Sequence, residues 1–175
     1  MIENKPHTFV QTATQAIRLN VEEGKRLKKP NQLPDTYNFA TGCFVSLHNA
    51  DGSLRGCIGT IEPRFDNLYD EIVQNAISAS AQDPRFSPVE EHELAQLHIS
   101  VDVLSQPEET TIQELNPDVY GLIITDGYRK GVLLPALETV DTVQKQIDIV
   151  KRKAGLSMVP NDDLKFFRFS SKRYE

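Results

Sequence analysis

The segment with the clearest capacity for chemistry is Arg55-Gly56-Cys57-Ile58-Gly59. If this segment is extended, Arg55 and Cys57 project from the same face, because side chains alternate along a strand. A guanidinium beside a thiol favours the thiolate, which is the form of cysteine that acts as a nucleophile. We therefore predict a small thiol site, with Cys57 as the candidate nucleophile and Arg55 as the partner of the thiolate or of an anionic group.

Gly56 and Gly59 need a physical reason, because glycine weakens a strand by roughly 0.5–1 kcal/mol relative to alanine. Glycine in a strand marks the close approach of a ligand or of another part of the backbone. We favour ligand access, which makes Gly56 and Gly59 candidate binding residues. Asp83 and Arg85, on either side of Pro84, are candidates for lining the same cleft. The alternative for this pair is a turn held by mutual charge and backbone hydrogen bonds.

A purely structural role for Cys57 stays open, because free cysteine is often buried as a small hydrophobe. Val132 occupies the corresponding position of a second, similar hairpin. A tight hairpin would pair Cys57 near Val45, on the opposite face from His48, which argues against a cysteine–histidine dyad. With two cysteines in the chain, we expect both to be reduced thiols. The cysteine and histidine spacing predicts no metal and no cofactor.

The composition is that of a soluble, folded protein. The chain has 175 residues, a formal net charge of −6 and 39% hydrophobic residues. This length supports a core without disulfides, and the acidic balance argues against a nucleic-acid-binding protein. No apolar run reaches the length of a membrane span, and no signal-peptide core is present near the start. We expect a cytoplasmic protein without membrane association.

The hydrophobic pattern predicts an N-terminal helix over 6–25, followed by strand, strand, helix and strand in each of two halves. The first half has strands at 42–48, 54–61 and 97–104 and a helix at 67–81. The second half has strands at 120–125, 131–134 and 165–170 and a helix at 139–154.

A repeated turn supports an internal duplication. Asp-Gly, two residues, a basic residue and Gly occur from Asp51 to Gly56 and again from Asp126 to Gly131, with every position 75 residues later. We therefore predict an α+β fold of two pseudo-repeated halves, about 40–105 and 118–172, with mainly antiparallel sheets and an added N-terminal helix.

The segment from Leu54 to Thr60 resembles the signature of the AMME-syndrome critical region domain, called AmmeMemoRadiSam system protein A in prokaryotes. Further similarity follows in order at 44–47, 83–89, 93–94, 99–104, 131–135 and 153–156, so one domain of this type is expected over 1–175. The segment after Pro135 departs from the family pattern, which has a glutamine and later a tryptophan there, whereas this chain contains no tryptophan.

The resemblance implies an α+β fold and genomic company with a Memo-type protein and a radical S-adenosylmethionine protein, but it implies no particular reaction. Two hypotheses result. The first is a thiol-dependent enzyme or modification factor that works with those partners, with Cys57 as nucleophile or transient carrier. The second is a non-catalytic subunit that binds a ligand or a protein in the cleft between the two halves.

Overall fold

The computed structural model describes residues 6–137 and 139–175. Within these residues the helices are α1 (Thr8–Glu23), α2 (Leu68–Ala81) and α3 (Val143–Ala154). The strands are β1 (Cys43–His48), β2 (Leu54–Gly59), β3 (His98–Leu104), β4 (Glu108–Thr110), β5 (Gly121–Thr125), β6 (Lys130–Leu133), β7 (Lys165–Phe169) and β8 (Ser171–Tyr174). None of the described helices is long and apolar enough to cross a membrane.

The helices begin and end at residues whose chemistry suits a helix end. His7, Asn67 and Thr142 each accept a hydrogen bond from a backbone N–H of the first turn of α1, α2 and α3. Gly24 and Gly155 end α1 and α3 in the left-handed conformation, with φ of 66° and 68°, which glycine adopts without a steric penalty. The prediction that the third helix begins at residue 139 is wrong by four residues, because Thr142 is its N-cap.

The predicted α+β fold with two similar halves is confirmed by two four-stranded sheets. The first sheet has the order β2-β1-β3-β8 and the second has the order β4-β7-β5-β6. The second sheet therefore contains β6-β5-β7 where the first contains β2-β1-β3, so both halves place strand, strand, helix and strand in the same way. Strand β8 is the fourth strand of the first sheet, and β4 is the fourth strand of the second. The sequence did not predict these two strands, because both are short and polar.

Each sheet belongs to a compact unit with its own apolar core. The first unit runs to Leu104 and includes Lys172–Glu175, and the second unit is Ser105–Ser171. In the first unit α1, α2 and one face of the first sheet bury the large apolar side chains Phe9, Ile17, Val45, Leu47, Leu68, Ile72 and Val101. In the second unit α3 and the second sheet bury Leu122, Ile124, Ile147, Val150, Leu156 and Phe166.

Candidate functional site

Cys57 lies on β2, at the edge of the first sheet, and its side chain is half-buried. Ser46 is directly opposite on β1, and its Oγ donates a hydrogen bond to Cys57 Sγ at 3.2 Å. The prediction that Cys57 pairs with Val45 is wrong, because the register shifts by one residue near Leu47 and His48. The extra residue on β2 is Arg55, which lies between the paired residues on either side of the shift.

The changed register also removes the argument that separated His48 from Cys57. Ser46 and His48 are two residues apart on the regular strand β1, so their side chains project from the same face of the sheet. Because Ser46 is opposite Cys57, this is also the face from which Cys57 projects. His48 is directly opposite His98 on β3. His48 lies two residues beyond Ser46 along β1. No hydrogen bond joins His48 to Cys57 in the described part of the chain.

The peptide group of Cys57 is held by Asp83 and Arg85. The Cys57 N–H donates to Asp83 Oδ2 at 2.9 Å, and Arg85 Nη2 donates to the Cys57 carbonyl at 3.1 Å. Arg85 also binds the Asp83 carboxylate through Nε at 3.0 Å and Nη2 at 2.7 Å. The two side chains thus replace a neighbouring strand at this one position of the sheet edge, where backbone groups otherwise lack a partner.

The local sequence explains how these two side chains reach Cys57. Helix α2 ends at Ala81 beside β2, and Pro84 prevents the chain from continuing as a helix at Asp83. Asp83 Oδ1 then accepts the backbone N–H of Arg85 at 3.1 Å, which closes a tight turn. The buried Asp83 is thereby aimed at the edge of β2.

The charges of this group support one another. Hydrogen bonds from Arg85 hold the pKa of Asp83 well below the ordinary carboxyl range, and the Cys57 amide adds to this effect although burial opposes it. The pKa of Arg85 is raised in turn, chiefly by Asp83. Arg173 on β8 donates hydrogen bonds to both carboxylate oxygens of Asp102, and this contact raises the pKa of Arg173. The guanidiniums of Arg85 and Arg173 both lie within electrostatic range of Cys57.

The Arg55 side chain binds Glu93 and Ser87 instead of lying beside the Cys57 thiol. Its Nε and Nη2 donate to the two carboxylate oxygens of Glu93 at 2.7 and 3.0 Å, and Nη1 donates to the Ser87 carbonyl at 3.0 Å. The Glu93 contact lowers the pKa of Glu93 and raises that of Arg55. The structure therefore brings Cys57, Asp83 and Arg85 together, and it uses Arg55 to fasten the segment after Asp83 onto β2.

The two glycines of the segment are surrounded by protein atoms. A Cβ added to Gly56 would lie 2.3 Å from the Ala79 carbonyl oxygen of α2, and one added to Gly59 would overlap the Phe44 ring. Of the two alternatives for these glycines, the structure therefore supports close packing. Gly131 in the second half repeats the arrangement, since its Cβ would lie 2.4 Å from the Val150 carbonyl oxygen of α3.

Cys43 offers a contrast within the same sheet. It lies on the opposite face of the sheet from Cys57 and is fully buried in the core. Burial raises the pKa of its thiol to about 12, although a hydrogen bond from Asn75 opposes the change. Both cysteines are free thiols, as predicted. Nowhere in residues 6–137 and 139–175 do three or more histidine, cysteine, aspartate or glutamate side chains form a group that could hold a metal.

Four further residues around Cys57 were missed by sequence reasoning. These residues are from 11 to more than 100 positions away from Cys57 in sequence: Ser46, Glu93, Asp102 and Arg173. Only the alternation of Ser100 and Asp102 with apolar residues in β3 indicated a polar face, and nothing indicated which residues oppose Cys57.

A comparison with known protein families finds a match to the AMMECR1 model over residues 10–174. The chain belongs to the AMMECR1 family. This confirms the resemblance found in the Leu54–Thr60 segment and the segments that follow it.

Relatives of this AMMECR1 chain occur in bacteria and archaea. A protein of Thermotoga maritima is 45% identical, with 97% of this chain and 98% of the relative covered. A protein of Clostridium acetobutylicum is 40% identical over 95% of this chain, which spans only 36% of that longer relative. The crystal structure of an uncharacterized protein from Pyrococcus horikoshii has a TM-score of 0.77 and 29% identity, covering 94% of this chain and 88% of that one.

Proposed function

We propose that this AMMECR1 protein is a thiol-dependent enzyme or modification factor in which Cys57 is the reactive group. The observation that carries the proposal is the placement of Cys57. Its peptide group is bound on both sides by the Asp83–Arg85 pair, and its Sγ accepts a hydrogen bond from Ser46. A nucleophile works best when its position is set by its surroundings before the substrate arrives.

The chemistry is nucleophilic substitution or group carriage at Sγ. As the thiolate attacks an electrophilic carbon, an S–C bond forms and the bond from that carbon to its leaving group breaks. The leaving group departs with the bonding electrons and takes up the proton that the thiol released. The hydrogen bond from Ser46 orients the Cys57 Sγ, and the guanidiniums of Arg85 and Arg173 lie within electrostatic range of it.

Partners and location belong to the same proposal. The family resemblance supports a Memo-type protein and a radical S-adenosylmethionine protein as partners. The Clostridium acetobutylicum relative is consistent with joint action, because there the matching region is part of a much longer chain. Two free thiols suit a reducing compartment, so we place the protein in the cytoplasm.

The second candidate function is a non-catalytic binding subunit. It is favoured by the contacts of Asp83 and Arg55, because these fasten the turn after α2 and the segment that follows it to β2. Such contacts would hold the fold together equally well if Cys57 never reacted.

Alkylation by iodoacetamide distinguishes the two functions, with Cys43 as an internal reference. Cys43→Ser leaves only Cys57, and Cys57→Ser leaves only the fully buried Cys43. We expect Cys57 in the folded protein to react faster at neutral pH than free cysteine does, and Cys43 to react only after unfolding. Equal and slow alkylation of both thiols in the folded variants would overturn the catalytic proposal and leave the binding subunit.

A further inference from the structure

Ser100 carries an unsatisfied hydroxyl group in the sheet that holds Cys57. The residue is only 6% exposed, and its Oγ is inaccessible to solvent and has no hydrogen-bond partner in residues 6–137 and 139–175. Buried hydroxyl groups in native proteins nearly always have a partner. Because solvent does not reach this oxygen, its partner has to come from the protein itself.

The strand register places Ser100 in a row with Ser46 and Cys57. Cys57 on β2 is directly opposite Ser46 on β1, and Ser46 is directly opposite Ser100 on β3. Residues that are directly opposite in adjacent strands project from the same face of a sheet, with their Cβ atoms about 4.5–5.5 Å apart. Three short polar side chains therefore cross the first sheet side by side, and Ser46 is in the middle of this Cys57–Ser46–Ser100 row.

The Ser46 hydroxyl is able to link the other two side chains. It donates its hydrogen to Cys57 Sγ at 3.2 Å, while in the described part of the chain no donor binds the lone pairs of its oxygen. A serine hydroxyl donates one hydrogen bond and accepts two. The hydroxyl directly across the strand pair is that of Ser100, and paired hydroxyl side chains on adjacent strands form hydrogen bonds when their rotamers turn toward each other.

We propose that Ser100 is a positioning residue that acts on Cys57 through Ser46. When Cys57 ionises, its thiolate attracts the Ser46 hydrogen more strongly, and the Ser46 oxygen becomes a better acceptor, because hydrogen bonds in a chain polarise one another. The Ser100 hydroxyl then rotates and donates to Ser46 Oγ. No covalent bond forms or breaks in this rotation. The row stabilises the reactive form of Cys57, so this inference rests on the proposed thiol function and adds Ser100 to it.

Two comparisons isolate the Ser100 hydroxyl in the full chain. Ser100→Ala, compared with the unaltered protein, removes the hydroxyl without adding bulk. Ser100→Thr and Ser100→Val add nearly the same volume and both suit a strand, but only threonine keeps the hydroxyl. Thr12→Val is the control, because it removes another buried hydroxyl of the first unit, one that bonds with Tyr37 instead of Ser46. Thermal unfolding monitors that each variant folds.

The ratio of thiolate to thiol at Cys57 is measured from the ultraviolet absorbance of the thiolate at one mildly alkaline pH. Cys43 does not contribute there, since burial raises its pKa to about 12. We expect the ratio to be about two- to tenfold lower in each variant without the Ser100 hydroxyl than in its hydroxyl-bearing counterpart, which is the factor that one net hydrogen bond contributes. Thr12→Val should match the unaltered protein.

Alkylation of Cys57 by iodoacetamide in the same variants separates this inference from the proposed function. Equal thiolate ratios with and without the Ser100 hydroxyl, or an equal decrease in Thr12→Val, would overturn the role of Ser100 whatever the rate of alkylation. If the ratio follows the hydroxyl while Cys57 is alkylated slowly in every variant, the role of Ser100 stands and the thiol-dependent function fails.

Discussion

Among single residues, the most informative contrast is between the backbone groups of Cys57 and those of its neighbours in β2. An edge strand exposes backbone groups on one side, and Cys57 has both of its own satisfied by side chains of one short turn. The Asp83 side chain is nearly inaccessible to solvent, so its charge is balanced locally by Arg85. Loss of either partner leaves a polar group without its intended contact.

We predict that Asp83→Ala lowers the free energy of unfolding by about 1–3 kcal/mol, which is the usual result of leaving buried polar groups unsatisfied. The Cys57 amide loses its acceptor and Arg85 loses its counter-charge. Urea unfolding followed by circular dichroism measures the change. Asp51→Ala, in an exposed turn where Asp51 accepts hydrogen bonds from Ser53, is the control and should cost less than Asp83→Ala. Equal losses in the two variants would contradict the assignment.

Acid should weaken the ion pairs of Asp83 with Arg85 and of Glu93 with Arg55. The pKa values of Asp83 and Glu93 are lowered in the folded protein, chiefly by Arg85 and Arg55. Their stabilising effect is therefore complete above the ordinary carboxyl pKa near 4 and is lost as the pH falls toward the lowered folded values. We predict that Asp83→Asn loses less stability than the unaltered protein between neutral and acidic pH. Identical pH dependence in urea unfolding would show that Asp83 does not contribute.

At the scale of secondary structure elements, each hairpin lies close against one helix. Gly56 faces the backbone of α2, and Gly131 faces the backbone of α3 in the same way. A side chain at either position would have to push a strand and a helix apart. The close packing of strand and helix in the repeated unit therefore explains Gly56, which precedes Cys57. The Cys57 side chain projects from the other face of the sheet.

We predict that Gly56→Ala and Gly131→Ala each lower the free energy of unfolding by about 1–3 kcal/mol, because overpacking displaces backbone atoms. This corresponds to a decrease in Tm of several degrees for a chain of this size. Differential scanning calorimetry provides the measurement. If Gly56→Ala abolished ligand binding or activity with an unchanged Tm, the ligand-access explanation would be correct instead.

At the scale of the whole molecule, the chain returns to the first unit after completing the second. Residues Lys172–Glu175 belong to the first unit, where β8 lies beside β3. Tyr174 contacts the rings of Phe9 and His7 at centroid distances of 5.0 and 4.3 Å. Residues from both ends of the chain thus stabilise the same core.

We predict that Tyr174→Ala destabilises the first unit by about 1–2 kcal/mol through lost aromatic contacts and apolar burial. Hydrogen exchange measured by mass spectrometry should show faster exchange in α1 and β3, while α3 keeps its protection because its core residues belong to a separate cluster. Tyr128→Ala is the control, since Tyr128 is almost fully exposed. Faster exchange confined to α3 would contradict this division.

The sequence by itself determined the family, the α+β class, the duplicated order of elements and the position of Cys57 on a strand. These properties depend on local patterns, namely apolar periodicity, turn glycines and the Arg-Gly-Cys-Ile-Gly segment, and such patterns act over a few residues. The turn formed by Asp83, Pro84 and Arg85 was also predictable, because Pro84 disfavours a helix at the residue before it.

Only the tertiary structure decided which groups meet Cys57. One extra residue in β2 moved its partner from Val45 to Ser46, and no local pattern reports such a bulge. Arg55 was directed to Glu93 because the segment after Asp83 folds back over the strand. Ligand access and close packing are indistinguishable at a glycine in sequence, because the atoms that fill the space near Gly56 come from α2, more than twenty residues away.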